Sequence, residues 1–114
     1  MRDFVRTFKA LSDPNRLRIL KMLEVKPLAV CEITAILGLA TSTVSKHLSI
    51  LRDAGLIIDE KDGKWVNYKL VKGARNWLSD ELLALLSEHL AEDETIREDA
   101  KKAKSVDRYV ICRR

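Results

Sequence analysis

Between Asp13 and Ile57 apolar residues recur at helical spacing in three consecutive runs, and only Pro27 and Gly38 interrupt them. That leaves room for three short helices and little else. In SDPNRLRILKML, Asp13 is placed as an N-cap, Pro14 takes the first helical position, and Leu17, Leu20 and Leu23 form the buried side. Pro27 ends that helix and begins a turn. Ala29 to Leu37 is a shorter helix with Ile33, Ile36 and Leu37 inward, closed by Gly38, a residue able to adopt positive φ. The next helix starts with Thr41 or Ser42 as N-cap. Its Val44, Leu48 and Leu51 share a narrow arc, with Ser42, Ser45, Lys46 and Ser49 roughly opposite. Two short helices joined by a tight glycine turn form a helix-turn-helix.

The flanks extend this unit. Phe4, Phe8 and Leu11 predict a first amphipathic helix over residues 2 to 11. The β-prone runs LIID and KWVNYKL flank EKDG, and Asp62-Gly63 is a strong turn signal, so a β-hairpin with a charged tip follows. From Gly73 the helical period returns through Leu78, Leu82, Leu85 and Leu86, a fifth helix reaching about His89. Acid-rich EDETIREDA then runs into KKAK, with Glu94/Glu98 and Glu98/Lys102 at i,i+4. This predicts a solvated helix fraying toward SVDRYVICRR. The expected fold is mainly α with a small β-hairpin, a winged helix-turn-helix. Residues 1–90 form that domain, and residues 91–114 are a charged helical tail carrying Cys112.

With 114 residues, 46% of them hydrophobic, the chain can build one core. No apolar run approaches the ~18 residues needed to span a bilayer, and MRDFVRTFKALSDPNR lacks the apolar core of a signal peptide. The expectation is a cytoplasmic protein with no membrane partner. Net charge is +4 and concentrated at the start: residues 1 to 26 hold seven Lys or Arg against three acids, whereas residues 71 to 114 hold nine of each. An anionic partner must therefore be steered by the first half of the chain. Catalysis needs a nucleophile–base pair, a phosphate-cradling glycine loop or an open metal site. Four scattered glycines and the isolated His47 and His89 supply none of these, so an enzyme is not expected.

LSDPNRLRILKML, VCEITAILGLATSTVSKHLSILRDAGLI and KDGKWVNYKL, in that order and spacing, resemble the ArsR/SmtB family of small metal-responsive bacterial repressors over roughly residues 4 to 71. The resemblance implies a homodimer built on the first and fifth helices, with two recognition helices in successive major grooves of an inverted-repeat operator in double-stranded DNA. The surplus of apolar surface on Phe4, Phe8 and the leucines of residues 78 to 90 points independently to a partner surface.

An α-helix fits the major groove, and short side chains let its backbone approach base edges. Ser42, Thr43, Ser45 and Lys46 are suited to base and phosphate contacts, with Thr41 at the helix N-terminus, where N–H groups favour phosphate. Family precedent puts contacts at Thr41, Ser42, Ser45 and Lys46. Lys61 and Lys64 flank the hairpin turn and are placed for contacts that fix register without reading sequence. Arg16 and Arg18 suit either phosphate contacts or salt bridges to nearby acids. His47, at the edge of the apolar arc, suits packing or hydrogen bonding better than base contact. A winged helix used only for protein contacts is the rival reading.

Family members release DNA on binding a ligand, often a thiophilic metal or metalloid. Arsenic and cadmium sensors carry a Cys-Val-Cys-Asp/Glu block in the third helix, sometimes with a further cysteine one turn on. Here the block reads Ala29-Val30-Cys31-Glu32, with Thr34 one turn later. The zinc-type ligand set of the fifth helix is missing. Cys31 lies near a helix N-terminus and Cys112 beside Arg113 and near Arg108, settings that favour thiolate. Three readings stay open: Cys31 and Cys112 as ligands for As(III) or another thiophilic metal(loid) acting as inducer, a reversible disulfide or persulfide switch, or a small core residue and an idle tail residue.

Overall fold

Asp13 starts the second helix as anticipated: its Oδ1 accepts from the backbone N–H of Asn15 (2.8 Å) and of Arg16 (3.1 Å), and Pro14 follows at the first helical position. The computed structural model describes residues 1–71 and 77–112. The elements in chain order are α1 (Arg2–Leu11), α2 (Pro14–Leu23), β1 (Leu28–Ala29), α3 (Val30–Leu37), α4 (Thr41–Asp53), β2 (Ile57–Asp62), β3 (Trp65–Leu70), α5 (Trp77–Ser87), α6 (Glu94–Ser105) and α7 (Arg108–Ile111).

The hairpin forms where Asp62-Gly63 predicted it, pairing Ile57 with Leu70 through to Asp62 with Trp65, and Gly63 takes φ 62° at the turn. Gly38 likewise ends α3 at φ 70°. Two details differ from the sequence reading. Leu28 and Ala29 are extended and pair with Tyr68 and Asn67, so the hairpin becomes a three-stranded sheet of order β1-β3-β2. Two residues with no alternation carry no strand signal; the ladder of β3 recruits them. The N-cap of α4 is Ala40, without a side-chain cap, and Thr41 is already helical.

The core gathers Ile19, Leu20 and Met22 of α2, Leu28, Ile33 of α3, Val44, Leu48 and Leu51 of α4, and Leu56 and Ile57, all essentially inaccessible to solvent. Each such side chain contributes about 2 kcal/mol of apolar burial. Phe4 and Phe8, in contrast, both stay 46% exposed on α1, stacked on each other at 5.1 Å, and Phe4 lies 6.4 Å from the exposed Trp77 of α5. Exposed Leu85 extends the same helix. Gly73, where the fifth-helix reading began, lies outside the described residues.

The tail departs from the solvated helix that its charge suggested. α6 forms, but one face packs on α2: Ile96 and Ala103 are buried, and Asp99, 2% exposed, pairs with Arg18 through Nε–Oδ2 (2.8 Å) and Nη2–Oδ1 (3.0 Å). The fraying expected over residues 105–112 gives way to α7, capped by Asp107 Oδ1 on the N–H of Tyr109. With only two buried apolar residues, Ile96 and Ala103, the docking of α6 also draws on an acid whose partner lies 81 residues earlier. Local sequence cannot show that.

Candidate nucleic-acid interface and cysteine pair

α4 is held by its apolar stripe. With Val44, Leu48 and Leu51 buried, Thr41, Ser42, Thr43, Ser45, Lys46 and Ser49 are all exposed on the outer side. The short hydroxyl side chains leave the backbone of the first two turns open to close approach, and Lys46 adds a cation on the same face.

The hairpin tip brings a second cationic element. Lys61 and Lys64 are exposed on either side of the turn. The acids that dilute the tip in sequence are engaged elsewhere: Asp59 pairs with Arg52 (3.6 Å), Glu60 with Lys69 (2.8 Å), and Asp62 accepts from Asn67 Nδ2 (3.3 Å). Lys64 Nζ sits 4.9 Å from the centre of the Trp65 ring.

Neither arginine of α2 faces outward as a free cation. Arg18 is committed to Asp99. That hydrogen bond raises its pKa further above the ordinary arginine value, against the lowering effect of burial and with the help of the Asp99 charge. Arg16 donates from Nε to Ala10 O (2.8 Å) and from Nη2 to Lys9 O (3.2 Å), satisfying carbonyls at the C-terminal end of α1. Its Nη1 meets His47 Nδ1 at 3.1 Å. The hydrogen-bonding role of His47 is therefore a tie from α1 through α2 to α4.

The two cysteines, 81 positions apart, meet: Cys31, in the first turn of α3, and Cys112, buried just after α7, are joined by a disulfide with Cα atoms 5.5 Å apart. Arg113 lies outside the described residues. Arg108, expected to favour a thiolate, is engaged by other partners. Its Nη2 donates to Glu32 Oε1 (3.1 Å) and to Asn67 Oδ1 (2.7 Å), and its guanidinium lies 5.6 Å from the Trp65 ring centre. Glu32, 2% exposed, also accepts from the N–H of Ala29 (2.8 Å), capping α3 from within. Tyr109 meets Trp65 edge-on at 6.1 Å. No group of three or more His, Cys, Asp or Glu that could hold a metal ion is found among the described residues. Asn67, Trp65 and Tyr109 escaped the sequence reading because nothing local marks them. Only the reading of Cys31 and Cys112 as candidate partners pointed to this end of the chain returning to α3.

Residues 13–59 match the family described as "Bacterial regulatory protein, arsR family". The chain is 39% identical to the arsenical resistance operon repressor of Escherichia coli over 64% of its own length and 63% of that protein's, so it spans less than two thirds of that relative. To the arsenical resistance operon repressor of Bacillus subtilis it is 37% identical over 79% of this chain and 80% of that one. A solution structure of the homodimeric winged helix-turn-helix domain of Mb0332 from Mycobacterium bovis superposes with a TM-score of 0.64 at 28% identity, over 78% of this chain and 82% of that one. All three are named as regulators or DNA-binding domains, in line with the expectation that this chain is not an enzyme.

Proposed function

This chain is a member of the ArsR family of bacterial regulatory proteins, and we propose that it is a homodimeric cytoplasmic repressor, released from an inverted-repeat operator by a thiol-reactive effector acting at Cys31 and Cys112. One observation carries the reading: the only two cysteines, far apart in sequence, meet at α3, the helix packed against α4. Thr41, Ser42, Thr43, Ser45 and Lys46 contact the major groove, and Lys61 and Lys64 the flanking backbone. Dimerisation covers the exposed Phe4, Phe8, Trp77 and Leu85 and sets two copies of α4 about one helical turn of DNA, ~34 Å, apart. No helix among the described residues is long and apolar enough to cross a membrane.

Arsenical repressors among the relatives favour As(III) as the effector. Arsenous acid condenses with the two thiols, forming two As–S bonds and releasing two waters. The third position is left to hydroxide or a small thiol, because the protein offers only two sulfurs. A second reading has its own support in the 5.5 Å Cα separation, which suits a disulfide. In it the two thiols pass two electrons and two protons to an oxidant. In either case the closed pair favours a dimer geometry that fits DNA less well, and affinity falls by the effector's differential binding to the two states.

The test is DNA release from the reduced protein, followed by fluorescence anisotropy, on adding As(III), Sb(III), Cd(II), Zn(II) or an oxidised thiol. Cys31→Ser and Cys112→Ser should retain DNA binding and lose release. Normal release of either variant by As(III) rules out the arsenic site, and normal release by the oxidised thiol rules out the switch.

A further inference from the structure

We propose that Arg108 is a positioning residue that transmits the chemical state of the cysteine pair to the hairpin tip, an inference that deepens the regulatory reading above and rests on it. α7 has four residues, too few to hold a helix unaided. Tyr109, Val110 and Ile111 are 71%, 60% and 44% exposed, so apolar burial does not pin it either. Two anchors on α3 do so. At the far end the sulfur of Cys112 is bonded to Cys31, and at the near end Arg108 pairs with Glu32, the residue next to Cys31. Cys112 N–H donates to Arg108 O (2.8 Å), so the two anchors share one helical turn.

From this turn a polar path leads to the tip. The nitrogen of Arg108 that meets Glu32 also donates to Asn67 Oδ1, and Asn67 Nδ2 donates to Asp62, the residue at the turn between Lys61 and Lys64. Over the same stretch Trp65 is flanked by Arg108, Tyr109 and Lys64. Opening the disulfide, by two electrons and two protons from a dithiol reductant that itself cyclises to a disulfide, removes the far anchor. α7 then keeps only the Arg108 anchor on α3, and the contacts of Arg108 and Tyr109 with Trp65 and Asn67 loosen. The closed pair thus clamps the tip that carries Lys61 and Lys64, and the open pair frees it.

Trp65 reports this directly once Trp77→Phe removes the other tryptophan. In that background the Trp65 emission should shift between protein treated with a dithiol reductant and reoxidised protein. Arg108→Ala should abolish the shift while thiol titration still shows full reoxidation, and Arg108→Lys should restore part of it. Asn67→Ala, which leaves the Arg108–Glu32 pair intact, should shrink it as well. No shift in the Trp77→Phe protein, or an undiminished shift in both Arg108→Ala and Asn67→Ala, overturns the inference. A shift that behaves as expected in a protein whose DNA affinity ignores thiol state leaves the transmission standing and removes the regulatory reading instead.

Discussion

Reduction of the Cys31–Cys112 bond should lower the stability of the chain by an amount set by the length of the loop it closes. A crosslink between residues 81 apart restricts almost the whole unfolded chain. The chain-entropy relation puts that restriction at about 4.5 kcal/mol at 25 °C, and strain and residual structure bring typical values to about 2–4 kcal/mol. With a urea slope of about 2 kcal/mol/M for a domain of this size, the unfolding midpoint should fall by about 1–2 M when a dithiol reductant is added. The assay is urea unfolding followed by circular dichroism at one fixed protein concentration, since dimerisation also shifts the midpoint. Cys31→Ser, Cys112→Ser and the double variant should each match reduced wild type and ignore the reductant, because losing either sulfur leaves no bond to lose. Losses that add in the double variant refute the reasoning, and so does a wild-type midpoint indifferent to reductant. The reduced chain should still fold, since the hydrophobic core and the Arg18–Asp99 pair do not involve the thiols.

The remaining predictions address the other links. Asp99→Ala strands a partly buried guanidinium and should cost about 3 kcal/mol in urea unfolding; because Asp99 raises the pKa of Arg18, the arginine's share is complete below its ordinary pKa and should not vary between about pH 6 and pH 9. A cost that changes over this window contradicts the assignment. Leu48→Ala, at a position 1% exposed, should cost about 3 kcal/mol, and a loss below about 1 kcal/mol would argue against the packing of α4 described above. Phe8→Glu, on the half-exposed face of α1, should shift size-exclusion elution toward the monomer with little change in helical content; an unshifted dimer places the interface elsewhere. Lys46→Ala should flatten the log–log salt dependence of DNA binding by about 0.9 per subunit, about 1.8 per dimer, and an unchanged slope removes Lys46 from the phosphate contacts.

Strong local rules made much of the architecture legible. Asp13-Pro14 marked the start of α2, Gly38 the helix-turn-helix corner, Asp62-Gly63 the hairpin, and the Val44/Leu48/Leu51 stripe the outward face of α4. Each of those signals lies within a few residues of what it specifies. The features that stayed hidden depend on distant partners. β1 exists because β3 lies beside it, and α6 docks through Asp99 and Arg18. The hydrogen-bonding role of His47 was readable in sequence, whereas Arg16, read as a phosphate contact or a salt bridge, instead holds helix-end carbonyls and His47, which only the fold shows. The cysteines were recognisable as candidate partners, whereas the path from Arg108 through Asn67 to the hairpin tip joins α3, α7 and β3 in a way no local pattern encodes.

The central claim is that the exposed face of α4, presented twice by a dimer, reads duplex DNA. The most direct measurement is an anisotropy titration of the reduced protein against promoter DNA upstream of its own gene, at rising salt, beside a Ser45→Ala/Lys46→Ala variant of unchanged oligomeric state. The account predicts binding by a dimer, affinity that falls linearly with salt on a log–log plot, and a marked loss in the variant. Equal affinity of the two proteins, or no binding at low salt, contradicts it.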